Sequence, residues 1–260
     1  MGYWQDRQAK AQERLTSKNI KETEAQLKKY YKNSMEKVIG QFEITYNKLL
    51  LSVDDGREPT PADLYKLDTY WQMVGQLKVE LEKLGDKQAA LYTKKFIEEY
   101  KQIYESIALK DDLFFNEIST ETAQQMINQI WCADGKSWSS RIWKNTELLQ
   151  EALNENLIDC VLTGKKTTQL KKLLQEQFNV SYNRADSIVR TEMAHIQTQA
   201  AKQRYLDYGI KEVQVWADED ERRCDVCGKL HEKRFPIGGA MPIPAHPRCR
   251  CCIVPVVEVD

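Results

Sequence analysis

Nothing in these 260 residues is long and apolar enough to span a membrane, and the opening MGYWQDRQAKAQERLTSK has no apolar run of the kind that forms a signal-peptide core. No membrane partner is expected, and the expectation is a chain made and kept in a cytosol. An excess of one charge is missing too: 38 basic residues face 39 acidic ones, which leaves no global field to draw the protein to nucleic acid or anionic lipid. There is no internal repeat and no low-complexity linker. No Gly-rich loop is present to cradle a phosphate, and no His-Glu-x-x-His to build a zincin. The deaminase order, His-x-Glu before Pro-Cys-x-x-Cys, is reversed here. These gaps point away from catalysis and from a small-molecule substrate.

What is present is mostly helix. Leu27, Tyr30, Tyr31, Met35, Val38, Phe42, Tyr46, Leu49 and Leu50 recur every three or four residues, the mark of one buried helical face. After the break at Gly56, Pro59 and Pro61, Thr60 suits an N-cap, Pro61 the first helical position and Asp63 the first turn. Leu64 to Leu84 continue the pattern, and Gly85 can close that helix in a left-handed conformation. A second helix over 87–109 then folds back as the antiparallel partner of the first. Asp134-Gly135, flanked by Trp131 and Trp138, suggests a short hairpin. Further helices are expected over 141–162, ending at Gly164, over 167–178, and over 182–208, capped by Ser181 and ended by Gly209. VQVWA at 213–217 and IVPVVEV at 253–259 are the best strands. The expected fold class is α+β and predominantly α-helical. Residues 1–118 form a helical N-terminal region, and residues 119–260 form a helical domain with a small β-sheet and a metal-binding loop.

The soft ligands crowd into one stretch. Residues 224–252 hold five of the seven cysteines and two of the three histidines. Cys224 and Cys227 form a Cys-x-x-Cys pair that can turn two thiolates onto one ion, while His246, Cys249 and Cys251 supply the other half of a tetrahedral zinc site. An odd cysteine count in a cytosolic chain favours metal over disulfides. The first-choice set is Cys224, Cys227, His246 and Cys249, with Cys251 the leading substitute in the second pair. In an extended CRCCIV, Cys252 points to the other side and becomes a core residue. His231 reads as solvent-facing, and Cys132 and Cys160 as small buried hydrophobes. Structural zinc contributes about 10 to 16 kcal/mol in small peptides, enough to fix FPIGGAMPIPAHP, a loop with few apolar anchors of its own. Spacing does not separate zinc from iron.

RADSIVRTEMAHIQTQAAKQRYLDYGIKEVQVWADEDERRCDVCGKLHEKRF followed by PIPAHPRCRCCIVPV resembles the C-terminal domain of the phage head morphogenesis family, the minor head proteins similar to phage Mu protein F. The shared features are Arg190-Thr191-Glu192 on a helix, Trp216-x-Asp218 closing a strand, Arg222-x-Cys224-x-x-Cys227, and Pro-x-x-His-Pro-x-Cys-Arg-Cys before a Val-Pro strand. SSRIW at 139–143 fits the family's upstream segment, so the resemblance covers about residues 120–260. It implies a virion component of the capsid interior or portal vertex. The implied partners are the portal protein and other capsid proteins, with packaged DNA as a further candidate, and the implied role lies in head assembly and DNA packaging or exit, without catalysis. On this reading Arg190 and Glu192 fasten their helix to the metal loop. The rival is a zinc-dependent nucleic-acid binder or nuclease, for which Arg222, Arg223, Arg248 and Arg250 beside the cysteines are the only argument. Residues 211–252 carry eight basic and seven acidic side chains, so no net patch supports it.

Overall fold

The computed structural model describes residues 3–53, 57–108, 117–217, 221 and 223–257. Helix α1 runs Tyr3–Ser52, α2 Pro61–Tyr65, α3 Asp68–Ser106, α4 Thr120–Ile127, α5 Trp138–Leu162 and α6 Thr167–Asp207. Strand β1 (Glu212–Trp216), helix α7 (Asp225–Leu230), β2 (Arg234–Pro236) and β3 (Cys252–Pro255) follow. The fold is predominantly helical with one small antiparallel sheet, as expected from the sequence, and among the described residues no helix is long and apolar enough to cross a membrane. The chain divides into two compact units, each discontinuous in sequence: Met1–Glu24 with Leu91–Trp138 and Ser187–Asp260, and Ala25–Ala90 with Ser139–Asp186.

In the second of these, the periodic face of α1 is buried at Leu27, Tyr31, Val38, Phe42, Tyr46 and Leu49, and Leu77, Leu81, Leu153, Leu157 and Phe178 of the same unit are buried as well. Leu50, expected on this face, is 43% exposed; Ser34 and Thr45 are buried instead. Thr60 caps α2 in a full capping box with Asp63, with Pro61 at the start. That helix ends after five residues, however, and α3 then runs unbroken through Gly85, so the antiparallel pair expected within 61–109 does not form. The reason is local. A Cβ at Gly85 would lie 2.6 Å from a ring carbon of Trp143, so this glycine admits an indole against the helix instead of turning the chain.

Helix α6 likewise continues through Ser181. That residue is buried inside the helix: its hydroxyl meets the Tyr31 hydroxyl at 3.0 Å and its carbonyl accepts from Asn145 at 2.9 Å. Satisfied from outside the helix, it has no call to act as a cap. Gly164 and Gly209 do sit at helix ends with φ of 60° and 72°.

In the first unit, Asp134-Gly135 makes a turn, with Gly135 at φ 66°, but no strands flank it. The tryptophans that suggested a hairpin are spent on helices: Trp138 packs edge-on to Phe96 and donates its indole N–H to the Ile127 carbonyl, and Trp131 lies on His195. The sheet has order β2-β1-β3, with Val213 opposite Phe235 on one side and Trp216 opposite Cys252 on the other. Val213 and Val215 are buried on one face of the sheet with Ile253, while Val254 is buried on the other with Cys252 against Trp216. Gln12 of α1 donates to both the Tyr205 hydroxyl and the Ile253 carbonyl, at 3.1 and 3.2 Å, which holds β3 to the helices. β2 was not anticipated; it is three residues long and only half-buried at its centre. The end of IVPVVEV, Asp218 and Arg222 lie outside the described residues.

Candidate metal centre

One short helix and one segment between strands carry the candidate ligands. Cys224 is the N-cap of α7 and its sulfur accepts the Cys227 N–H at 3.4 Å, so one turn of helix places both sulfurs on one side. The other ligands arrive on the segment between β2 and β3, where the Cys249 N–H bonds the His246 carbonyl at 3.2 Å in a tight turn. The structure thus brings together all five residues singled out from the sequence, in two overlapping groups. Cys224, Cys227 and His246 form one, and Cys227, Cys249 and Cys251 the other; within each, the ligand atoms lie within 4.8 Å of one another. These groups could hold a metal ion.

The distances can be tested against a tetrahedron. Zinc–sulfur bonds of about 2.3 Å put two thiolates about 3.8 Å apart, and a thiolate and an imidazole nitrogen about 3.5 Å apart. The Cys227 and Cys249 sulfurs are 3.8 Å apart. His246 Nε2 lies 3.2 Å from the Cys224 sulfur and 3.1 Å from that of Cys227, a few tenths of an ångström tight. His246 Nδ1 is 2.8 Å from the Pro247 carbonyl. A carbonyl only accepts, so Nδ1 carries the proton and Nε2 turns a lone pair toward the two sulfurs, the tautomer a ligand needs. A cavity of about 30 Å³ opens at Cys224, Cys227, His246 and Cys251, room for one ion or water.

All seven cysteines are free thiols. Hydrogen bonds from Cys251, first its thiol and then its N–H, hold the Cys249 thiol down to about 5, and the same thiol pair drives Cys251 upward. Burial pushes Cys227 up to about 12. The Cys227 N–H lowers Cys224, and the Pro247 carbonyl raises His246. Four sulfurs this close share few charges among themselves; a divalent cation supplies the positive charge that lets them ionise together.

The remaining candidates fall elsewhere. Cys252 is buried with Ala9 and Val254 and packs against Trp216, away from the ligand groups. Cys160 is buried, but Cys132 is only half-buried, a correction to the expectation that both are core. His231 is not solvent-facing: its Nδ1 accepts the Ala217 N–H at 3.1 Å and its ring stands edge-on to Trp216, because α7 ends there and turns the imidazole back onto β1.

Arg190 pairs with Glu24 of α1, and Glu192 accepts the Trp131 indole N–H at 3.0 Å. A direct tie from α6 to the ligand segment comes from the residue between them. The Arg248 N–H donates to Thr191 Oγ1 at 3.1 Å. The Arg-Thr-Glu motif points to its two charged residues for the fastening; a small hydroxyl such as that of Thr191 carries no signal of what it reaches across the fold.

Residues 151–254, about two fifths of the chain, match the family model described as Phage Mu protein F like protein. This segment is similar to phage Mu protein F. It contains all five ligand-type residues and Thr191, and it is the family that the C-terminal motifs resemble. No curated protein and no solved structure matches the chain.

Proposed function

We propose that this protein is a minor head protein of a phage capsid, a structural and interaction component whose C-terminal domain, 119–260, is stiffened by one zinc ion. The single observation that carries the reading is the overlap of the Phage Mu F-like segment with a convergent Cys/His cluster. Cys224, Cys227, His246 and Cys249 hold the ion, with Cys251 beside them as the alternative ligand. Four soft ligands of this kind close a zinc sphere, and a closed sphere stabilises a fold without offering a site for substrate. The ion supplies cohesion to a segment, Ile237 through Pro247, that carries three prolines and two glycines. The helical N-terminal region, 1–118, engages the portal protein or neighbouring capsid subunits at or near the portal vertex, in a step of head assembly or of DNA packaging or exit.

The test is to locate the protein in purified particles and in heads stripped of portal protein, with a gel-shift and nuclease assay across salt concentrations in parallel. Retention with portal-bearing heads and no cutting fits the proposal. Arg223, Arg248 and Arg250 line the cavity beside Cys224 and His246, which is the observation favouring a zinc-dependent nucleic-acid binder or nuclease. Salt-sensitive binding or cleavage that is lost in Cys224→Ser or His246→Ala would overturn the structural reading in favour of that one.

A further inference from the structure

Thr191 lies on α6 with its hydroxyl committed in two directions. The O–H donates to the Ser187 carbonyl at 2.6 Å, one turn back in the same helix, so its lone pairs face outward. Into them points the N–H of Arg248 at 3.1 Å. Arg248 stands between His246 and Cys249 and has φ of 62°, a left-handed conformation that a non-glycine residue holds only when its surroundings impose it. The same turn is closed by the Cys249 N–H on the His246 carbonyl. One hydroxyl on a long helix therefore holds the backbone of the turn that spaces two ligand side chains.

We propose that Thr191 is a positioning residue for the metal centre: it presets the His246–Cys249 turn so that imidazole and thiolate already face Cys224 and Cys227 before an ion arrives. This rests on the metal-binding reading above. A preset turn spares the ion the ordering cost of a Pro/Gly-rich segment, and groups that orient ligands from outside the coordination sphere change metal affinity by about 10- to 100-fold. Cys227 needs no such help, because α7 holds it.

The experiment compares wild-type protein with Thr191→Val, Thr191→Ser and Thr198→Val, each loaded with zinc, and follows transfer of the ion to a chromogenic chelator. Thr198 is buried in the same helix and makes the same backward bond, to the Ala194 carbonyl at 2.9 Å, so its valine variant reports the cost of a lost helix-interior hydroxyl alone. The expected result is one ion per chain in all four, with affinity about tenfold or more lower in Thr191→Val and close to wild type in the other two. Equal affinity in Thr191→Val and wild type overturns the role of Thr191 and leaves the metal centre standing, whereas wild-type protein that holds no ion overturns both. Should Thr191→Val not fold, amide exchange in wild-type protein decides the matter. With the ion stripped, the Arg248 N–H stays protected if Thr191 holds it, and exchange at the rate of an open amide overturns the proposal.

Discussion

The indole of Trp131 lies flat on the imidazole of His195, ring centroids 4.2 Å apart and planes 7° from parallel. Burial under that ring lowers the imidazole pKa to about 4, against about 6.5 for a free histidine. Between those two values an unfolded chain binds a proton that the folded one refuses, so stability is full above about pH 6.5 and falls as the pH drops toward 4. At about 1.4 kcal/mol per unit the loss is on the order of 3 kcal/mol. Denaturant unfolding of wild type and His195→Phe across this window should show the variant gaining on wild type as the solution is acidified. Parallel curves would mean that His195 is protonated in the fold.

Glu99 works in the opposite sense. It is buried, accepts from Thr16 and Asn19 at 2.5 and 2.6 Å, and is raised to about 7 by burial in spite of those bonds. Its folded pKa exceeds the unfolded one near 4.5, so its contribution is full below pH 4.5 and is lost as pH rises through 7. Glu99→Gln, which cannot ionise, should gain on wild type by roughly 3 kcal/mol between pH 4.5 and 8. Urea titrations at the two ends of that range check it, and an unchanged gap would place the carboxylate in contact with water.

Gly85 and Trp143 form a testable pair. With the indole present, Gly85→Ala forces a ring carbon away from a position 2.6 Å from the new methyl and should cost about 1 to 3 kcal/mol. In a Trp143→Ala background the same change should stabilise the helix by up to about 1 kcal/mol, the ordinary preference of a helix interior for alanine. A double-mutant cycle by thermal unfolding reads the reversal of sign, and a stabilising Gly85→Ala in wild type would refute the packing argument.

Removal of the ion should act locally. The helices bury their own faces, from Leu27 through Tyr205, while the segment from Ile237 to Pro247 has only Ile237 and Ile243 buried. A strong chelator should open that segment to limited proteolysis and leave the helical circular dichroism signal intact. Global loss of helix on chelation would show that the centre supports more than its own loop.

The site was more legible than the fold around it. Cys-x-x-Cys and His-x-x-Cys-x-Cys suggest their chemistry by residue type and spacing, so the convergence of these five side chains is legible in the sequence. Helix faces such as Leu27, Tyr31, Val38 and Phe42 were legible for the same reason, a period that needs no partner to be read. What failed were residues whose meaning is supplied from elsewhere. Gly85 signals a stop until Trp143 is seen against it, Ser181 signals a cap until Tyr31 and Asn145 are seen to engage it, and Asp134-Gly135 signals a hairpin until its tryptophans are found packed on helices. Thr191 belongs with these, since its role lies in a bond to a residue 57 positions away.

Cys227 belongs to both ligand groups, so it is the position at which the account is most exposed. Elemental analysis of purified wild-type protein and of Cys227→Ser tests it most directly. The prediction is close to one zinc per chain in wild type and none retained by the variant after dialysis. Wild-type protein free of metal, or a variant that keeps its full complement, would contradict it.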